Sequence, residues 1–95
     1  MKYFDWSIEK NEQLKIERRV HFNDIVIAVS ENRVLDYYPH PNPKKYPNQN
    51  VYVININDYA YLVPCIEDGD KIFLKTIIPS RKATKYYIIN SKENI

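Results

Sequence analysis

Three strand-like runs separated by breaks of two and three residues constrain this chain more than any other feature. Asn50 to Ile56, Tyr59 to Glu67 and Lys71 to Ile78 are rich in β-branched and aromatic residues, and the breaks between them hold Asn57-Asp58 and Asp68-Gly69. Those turn residues tolerate positive φ, and loops this short join only strands that lie side by side and antiparallel. The second half of the chain is therefore read as a meander. Pro64 cannot donate to a ladder, which predicts a bulge or an edge position in the middle run.

The first half reads differently. Tyr3 to Trp6 alternates as a short strand, and Ser7 can cap a helix over residues 8 to 18 with Glu9 in its first turn. Phe22, Ile25, Val26 and Val29 recur at the spacing of one helical face, so a second helix spans about 22 to 31. Val34 to Tyr38 is a plausible strand. Residues 39 to 48, PHPNPKKYPN, hold four of the six prolines and form a loop too short to divide domains. Pro79 or Ser80 opens a short helix through about Ile88, and the tail NSKENI is read as frayed. The order gives an α+β domain over residues 1–95: an antiparallel meander, two N-terminal helices and a short C-terminal helix. Its helices are expected on one face, leaving the other open to a partner.

Composition narrows the class. With 44% hydrophobic and 27% charged residues, and no apolar run near the ~18 residues of a membrane span, the chain reads as soluble. It begins without an apolar leader, and Cys65 has no second cysteine to pair with, so the cytoplasm is the expected compartment. Cys65 itself reads as a small core residue. Net charge is only +2, yet Lys71, Lys75, Arg81, Lys82, Lys85 and Lys92 fall in one stretch without an acid. Such a one-signed surface favours an anionic partner.

Two stretches resemble a known family. Phe4-Asp5-Trp6, Lys10, and Val20 with Phe22 match the opening of BrnT-type toxins in order and spacing; Ile77, Ile78, Ser80, Arg81, Lys82, Ala83 and Thr84 resemble the same family's closing segment. The resemblance implies a RelE-like fold, an endoribonuclease that blocks translation, and a cognate DNA-binding antitoxin, with homo- or hetero-oligomers possible. This chain has Glu17-Arg18-Arg19 where the family usually has Lys-His-Gly, His21 where a capping serine is usual, and Tyr87 where a glutamate is common.

Metal-independent RNA cleavage needs a base for the 2′-OH, cations for the charge growing on phosphate, and an acid for the leaving 5′-oxygen. Arg81 offers a planar fork suited to phosphate. Lys75 alternates with Phe73 and Ile77, which puts all three on one sheet face and lets Lys75 meet Arg81. His21, beside the cations Arg18 and Arg19, is the candidate base, and Tyr87 a proton donor or stacking ring. Lys82, Lys85, Arg18 and Arg19 would bind substrate. His40, in the proline loop, reads as exposed and without a role. Tyr37, Tyr38, Tyr52, Tyr59 and Tyr61 can cover the sheet. Two isolated histidines and one cysteine lack ligand spacing, so neither a metal nor another cofactor is expected. The altered proton-transfer groups leave a second reading open: a non-catalytic RNA- or protein-binding module that keeps the fold.

Overall fold

A computed structural model describes residues 2–90. Six strands form one sheet: β1 (Tyr3–Trp6), β2 (Val34–Pro39), β3 (Gln49–Ile56), β4 (Tyr59–Asp68), β5 (Lys71–Leu74) and β6 (Ile78–Pro79). Their order is β1-β5-β4-β3-β2, with β6 also paired to β4. The meander β3-β4-β5 is as the turns dictate. Asn57 and Asp58 adopt φ of 54° and 64°, and Gly69 adopts 59° in the turn before Lys71. Only β1 breaks the antiparallel pattern, lying parallel to β5 at the sheet edge from Tyr3 opposite Lys71 to Trp6 opposite Leu74. A parallel partner needs a crossover, which the intervening chain supplies.

Helix α1 (Ile8–Arg18) starts at Ser7, whose hydroxyl accepts from the Lys10 N–H at 3.2 Å, and ends at Arg19 in a left-handed conformation. Helix α2 (Phe22–Ser30) follows almost at once. Together they bury Leu14, Phe22, Ile25 and Ala28 against Ile54, Val63, Cys65, Ile72 and Leu74. Trp6 stacks on Phe22 with ring centroids 5.6 Å apart, which ties β1 to α2 and accounts for two of the three aromatics of the N-terminal motif; the third, Phe4, packs edge-on to Tyr52. Cys65 is a core residue, fully buried; burial, then the nearby Glu67 charge, pushes its thiol up to about 11. No described helix is long and apolar enough to cross a membrane.

Three expectations are corrected. The last helix, α3, makes one α-turn over Arg81–Ala83 and widens to π geometry over Thr84–Ile89. It does not join α1 and α2: Ala83 and Ile88 pack with Val53, Ala60 and Leu62, on the opposite sheet face. Strand alternation makes this possible, because Ile54 and Val63 face α1 and α2 while their neighbours Val53 and Leu62 face α3. The run Lys71 to Ile78 is not one strand. It breaks after Leu74, so Ile77 rejoins Ile72 and Leu74 in the α1/α2 core and does not share a face with Lys75. Pro64 lies in a central strand, in unbroken register with β3 opposite Val51. Its carbonyl accepts the Lys75 N–H at 2.9 Å where β4 passes from β5 to β6, so the missing donor falls at that gap. The tail 91–95, Lys92 included, lies outside the described residues.

Glu67 of the central strand β4 links Lys2, just before β1, to Tyr37 of β2, and so ties the two edges of the sheet. The Glu67 carboxylate accepts from Lys2 Nζ at 2.8 Å and from the Tyr37 hydroxyl, and these bonds hold it below the usual carboxylate range. A depressed folded pKa adds stability that is complete above the unfolded value and lost as pH falls through the folded one. Glu67→Gln is accordingly expected to flatten the acid limb of stability, read as urea midpoints between about pH 5 and about pH 3.

Candidate RNA-binding groove

On the α3 side of the sheet two adjoining cavities share Tyr38 and Leu62 as a common wall. The first, about 540 Å³, is lined further by Ser80, Lys82, Ala83, Lys85, Tyr86, Tyr87 and Asn90. The second, about 380 Å³, lies toward the proline loop, lined by His40, Pro41, Tyr46, Gln49, Val51, Pro64, Lys75 and Ile78. Three exposed lysines from two separate segments thus border this two-cavity groove, Lys82 and Lys85 at the first cavity and Lys75 at the second.

The sequence sets α3 down at this place. Ser80 caps it by accepting the Ala83 N–H at 3.0 Å, and the Ser80 N–H donates to the Ala60 carbonyl. Ala83 is buried against the sheet, where a small side chain allows close approach. Thr84 is the polar residue buried beneath the helix: its hydroxyl accepts the Ala60 N–H and donates to the Ser80 carbonyl, both at 2.8 Å. The Ser-x-x-Ala-Thr spacing is thus a docking device. A hydroxyl bonding back four residues loosens a helix, and Thr84 is where α geometry gives way to π.

Tyr87 is carried on that π segment. Its hydroxyl donates to Asp36 Oδ2 at 2.5 Å, and this bond, with some burial, pushes the phenol up to about 12. Asp36 gets there through a bulge: the register shifts between Val34, opposite Ile54, and Asp36, opposite Val53. Without the extra residue Asp36 would face α1 and α2; with it, the carboxylate faces α3. Bulges re-aim side chains next to active sites, and π turns concentrate there also. Both irregularities meet at one hydrogen bond. Nothing in the alternation of VLDYYP announces the bulge, so Asp36 was illegible as a site residue.

The other candidates fare unevenly. Lys75, Lys82, Lys85 and Tyr87 border the groove. Arg81 is exposed at the head of α3 and lines neither cavity, so it does not join Lys75 at a shared site; Lys82 and Lys85 line the cavity next to that of Lys75. His21 is not brought there. It caps α2 on the far side of the sheet, its N–H donating to Asp24 Oδ2 at 3.1 Å and its Nε2 3.5 Å from Asp24 Oδ1. The charged neighbour it meets is a carboxylate, in place of the cations anticipated. Arg18 ties α1 to the segment before β6 by donating to the Ile77 carbonyl, a structural contact, and Arg19 is exposed in the left-handed turn after α1. His40, read as a bystander, is half-buried and lines the second cavity.

No protein-family model, curated protein or solved structure matches this chain.

Proposed function

We propose that this protein is a BrnT-like toxin of a type II toxin-antitoxin pair, with a RelE-like fold, that cleaves RNA held in the groove beneath α3 and so blocks translation. The observation that carries this reading is the placement of Lys82 and Lys85 on one, and Lys75 on the other, of two adjoining aromatic-lined cavities. Lysines track a phosphate backbone and rings stack unpaired bases, the two ingredients of single-strand binding. Proton transfer falls to Tyr87 and Asp36. Tyr87 Oη takes the 2′-OH proton as it passes its own to Asp36, the 2′-oxygen attacks phosphorus, and a cyclic phosphate forms. The P–O5′ bond breaks, and the leaving oxygen takes a proton from a groove lysine. A cognate antitoxin would neutralise the protein by covering the groove.

A second reading rests on a specific observation. The Tyr87 hydroxyl is committed to Asp36 and His21 lies across the sheet, which suits a module that binds RNA without cutting it.

Induced expression in bacteria separates the two, with growth and RNA integrity followed for wild type, Tyr87→Phe and Asp36→Asn. The toxin reading expects arrest and cleaved RNA from wild type alone, with both variants still binding RNA in vitro. If wild type neither slows growth nor cuts RNA, the enzyme reading fails and the binding module stands.

A further inference from the structure

The cavity between the proline loop and β6 has a construction of its own. Four prolines stiffen residues 39 to 48, and the loop packs on itself. The Tyr46 N–H donates to the Asn42 carbonyl, the His40 N–H to the Gln49 carbonyl, and the Lys45 N–H to Asn42 Oδ1. The result is an imidazole held in place, its centroid 4.3 Å from that of Tyr46. The Asn42 N–H donates to His40 Nδ1 at 3.0 Å, which makes that nitrogen an acceptor and puts the ring proton on Nε2. With Nδ1 engaged by that bond, the ring presents its Nε2 edge and its face to the cavity.

Lys75 borders the same cavity, its main chain anchored to Pro64, and Gln49 adds an amide that can both donate and accept. Pro41, Val51 and Ile78 supply apolar wall. A volume of about 380 Å³ lies in the range of small-ligand sites. A cation for phosphate, a backed ring for a base face and an amide for a base edge form the recognition set for one unstacked nucleotide.

We infer that this cavity is a nucleotide subsite, in which His40, backed by Tyr46, stacks a single base while Lys75 holds its phosphate. The inference rests on RNA as the ligand of the groove, but not on cleavage. The adjoining cavity beneath α3 then takes the next nucleotide, the strand passing over Tyr38. Duplex RNA, whose bases stay stacked, does not fit.

The two histidines provide a probe and a control, since His40 lines the subsite and His21 lies across the sheet. Purified full-length protein is titrated by NMR with inorganic phosphate, 5′-AMP, 5′-UMP, a single-stranded RNA of about ten nucleotides, and its duplex. The mononucleotides and the single strand are expected to shift the His40 ring resonances and leave those of His21 in place. Lys75→Ala is expected to weaken mononucleotide binding about threefold to tenfold, and His40→Ala to weaken the single strand about tenfold. Lys75 is exposed, so its variant folds even if the His40 variant disturbs the loop. The inference is overturned if His40 does not respond at saturation, if inorganic phosphate shifts it as much as the nucleotides do, or if the duplex binds as tightly as the single strand. Single-stranded RNA that binds through Lys82 and Lys85 without moving His40 removes the subsite and leaves the groove reading intact. Nucleotides that move His40 in a protein that never cuts RNA keep the subsite and the groove and remove the cleavage reading alone.

Discussion

Replacing Lys75, Lys82 and Lys85 together by alanine is expected to weaken single-stranded RNA binding about fiftyfold at 0.15 M salt and to abolish growth inhibition. The size follows from counterion release. Each phosphate neutralised on a single strand contributes about 0.7 to the slope of log affinity against log salt, so three lysines account for a slope of about 2. Extrapolated from 1 M to 0.15 M salt, that slope is a factor of about fifty. All three side chains are exposed, so the fold should survive, which circular dichroism checks. Arg81→Ala is the contrast: outside both cavities, it should change affinity less than about threefold. A triple variant that binds like wild type, or one outdone by Arg81→Ala, would move the RNA elsewhere.

Thr84→Val should be the most damaging single change to the groove's architecture. Valine keeps the shape and loses the hydroxyl, stranding the buried Ala60 N–H that now donates to it at 2.8 Å. An unsatisfied buried donor costs about 1–3 kcal/mol. At roughly 4–8 °C per kcal/mol for a domain this size, the melting temperature should fall by about 10 °C. Lys82, Lys85 and Tyr87 ride on the helix this residue fastens, so RNA affinity should fall too, although Thr84 lines neither cavity. Thr84→Ser keeps the oxygen and should retain most of the stability. Thermal unfolding beside an RNA titration reads both, and a full-affinity Thr84→Val would detach the helix's position from binding.

Local signals carried much of the fold. Ser7 marked the start of α1, Phe22 and Ile25 its neighbour's buried stripe, and Asn57-Asp58 the hairpin. What escaped was where strands end and which face a helix covers. Lys71 to Ile78 has unbroken strand propensity, and only the tertiary demand that Ile77 join the α1/α2 core interrupts it. Likewise α3 is too short for an apolar stripe to state its side; Val53 and Ala60, across the chain, decide it. At the site, charge was legible and geometry was not. The basic stretch included Lys75, Lys82 and Lys85, which border the cavities, but it put Arg81 first, which lines neither. The bulge before Asp36 depends on long-range pairing and the packing of His40 against Tyr46 on the path of the loop, which residue type alone does not encode.

Strand β4 presents Val63 to one core and Leu62 to the other, so a single sheet serves as a party wall between two rooms. Removing one residue from its middle would exchange the tenants of both at once. Sequence drift can therefore remodel the groove or the helical layer separately through loops and α3, whereas any slip in β4 must be tolerated on both sides together.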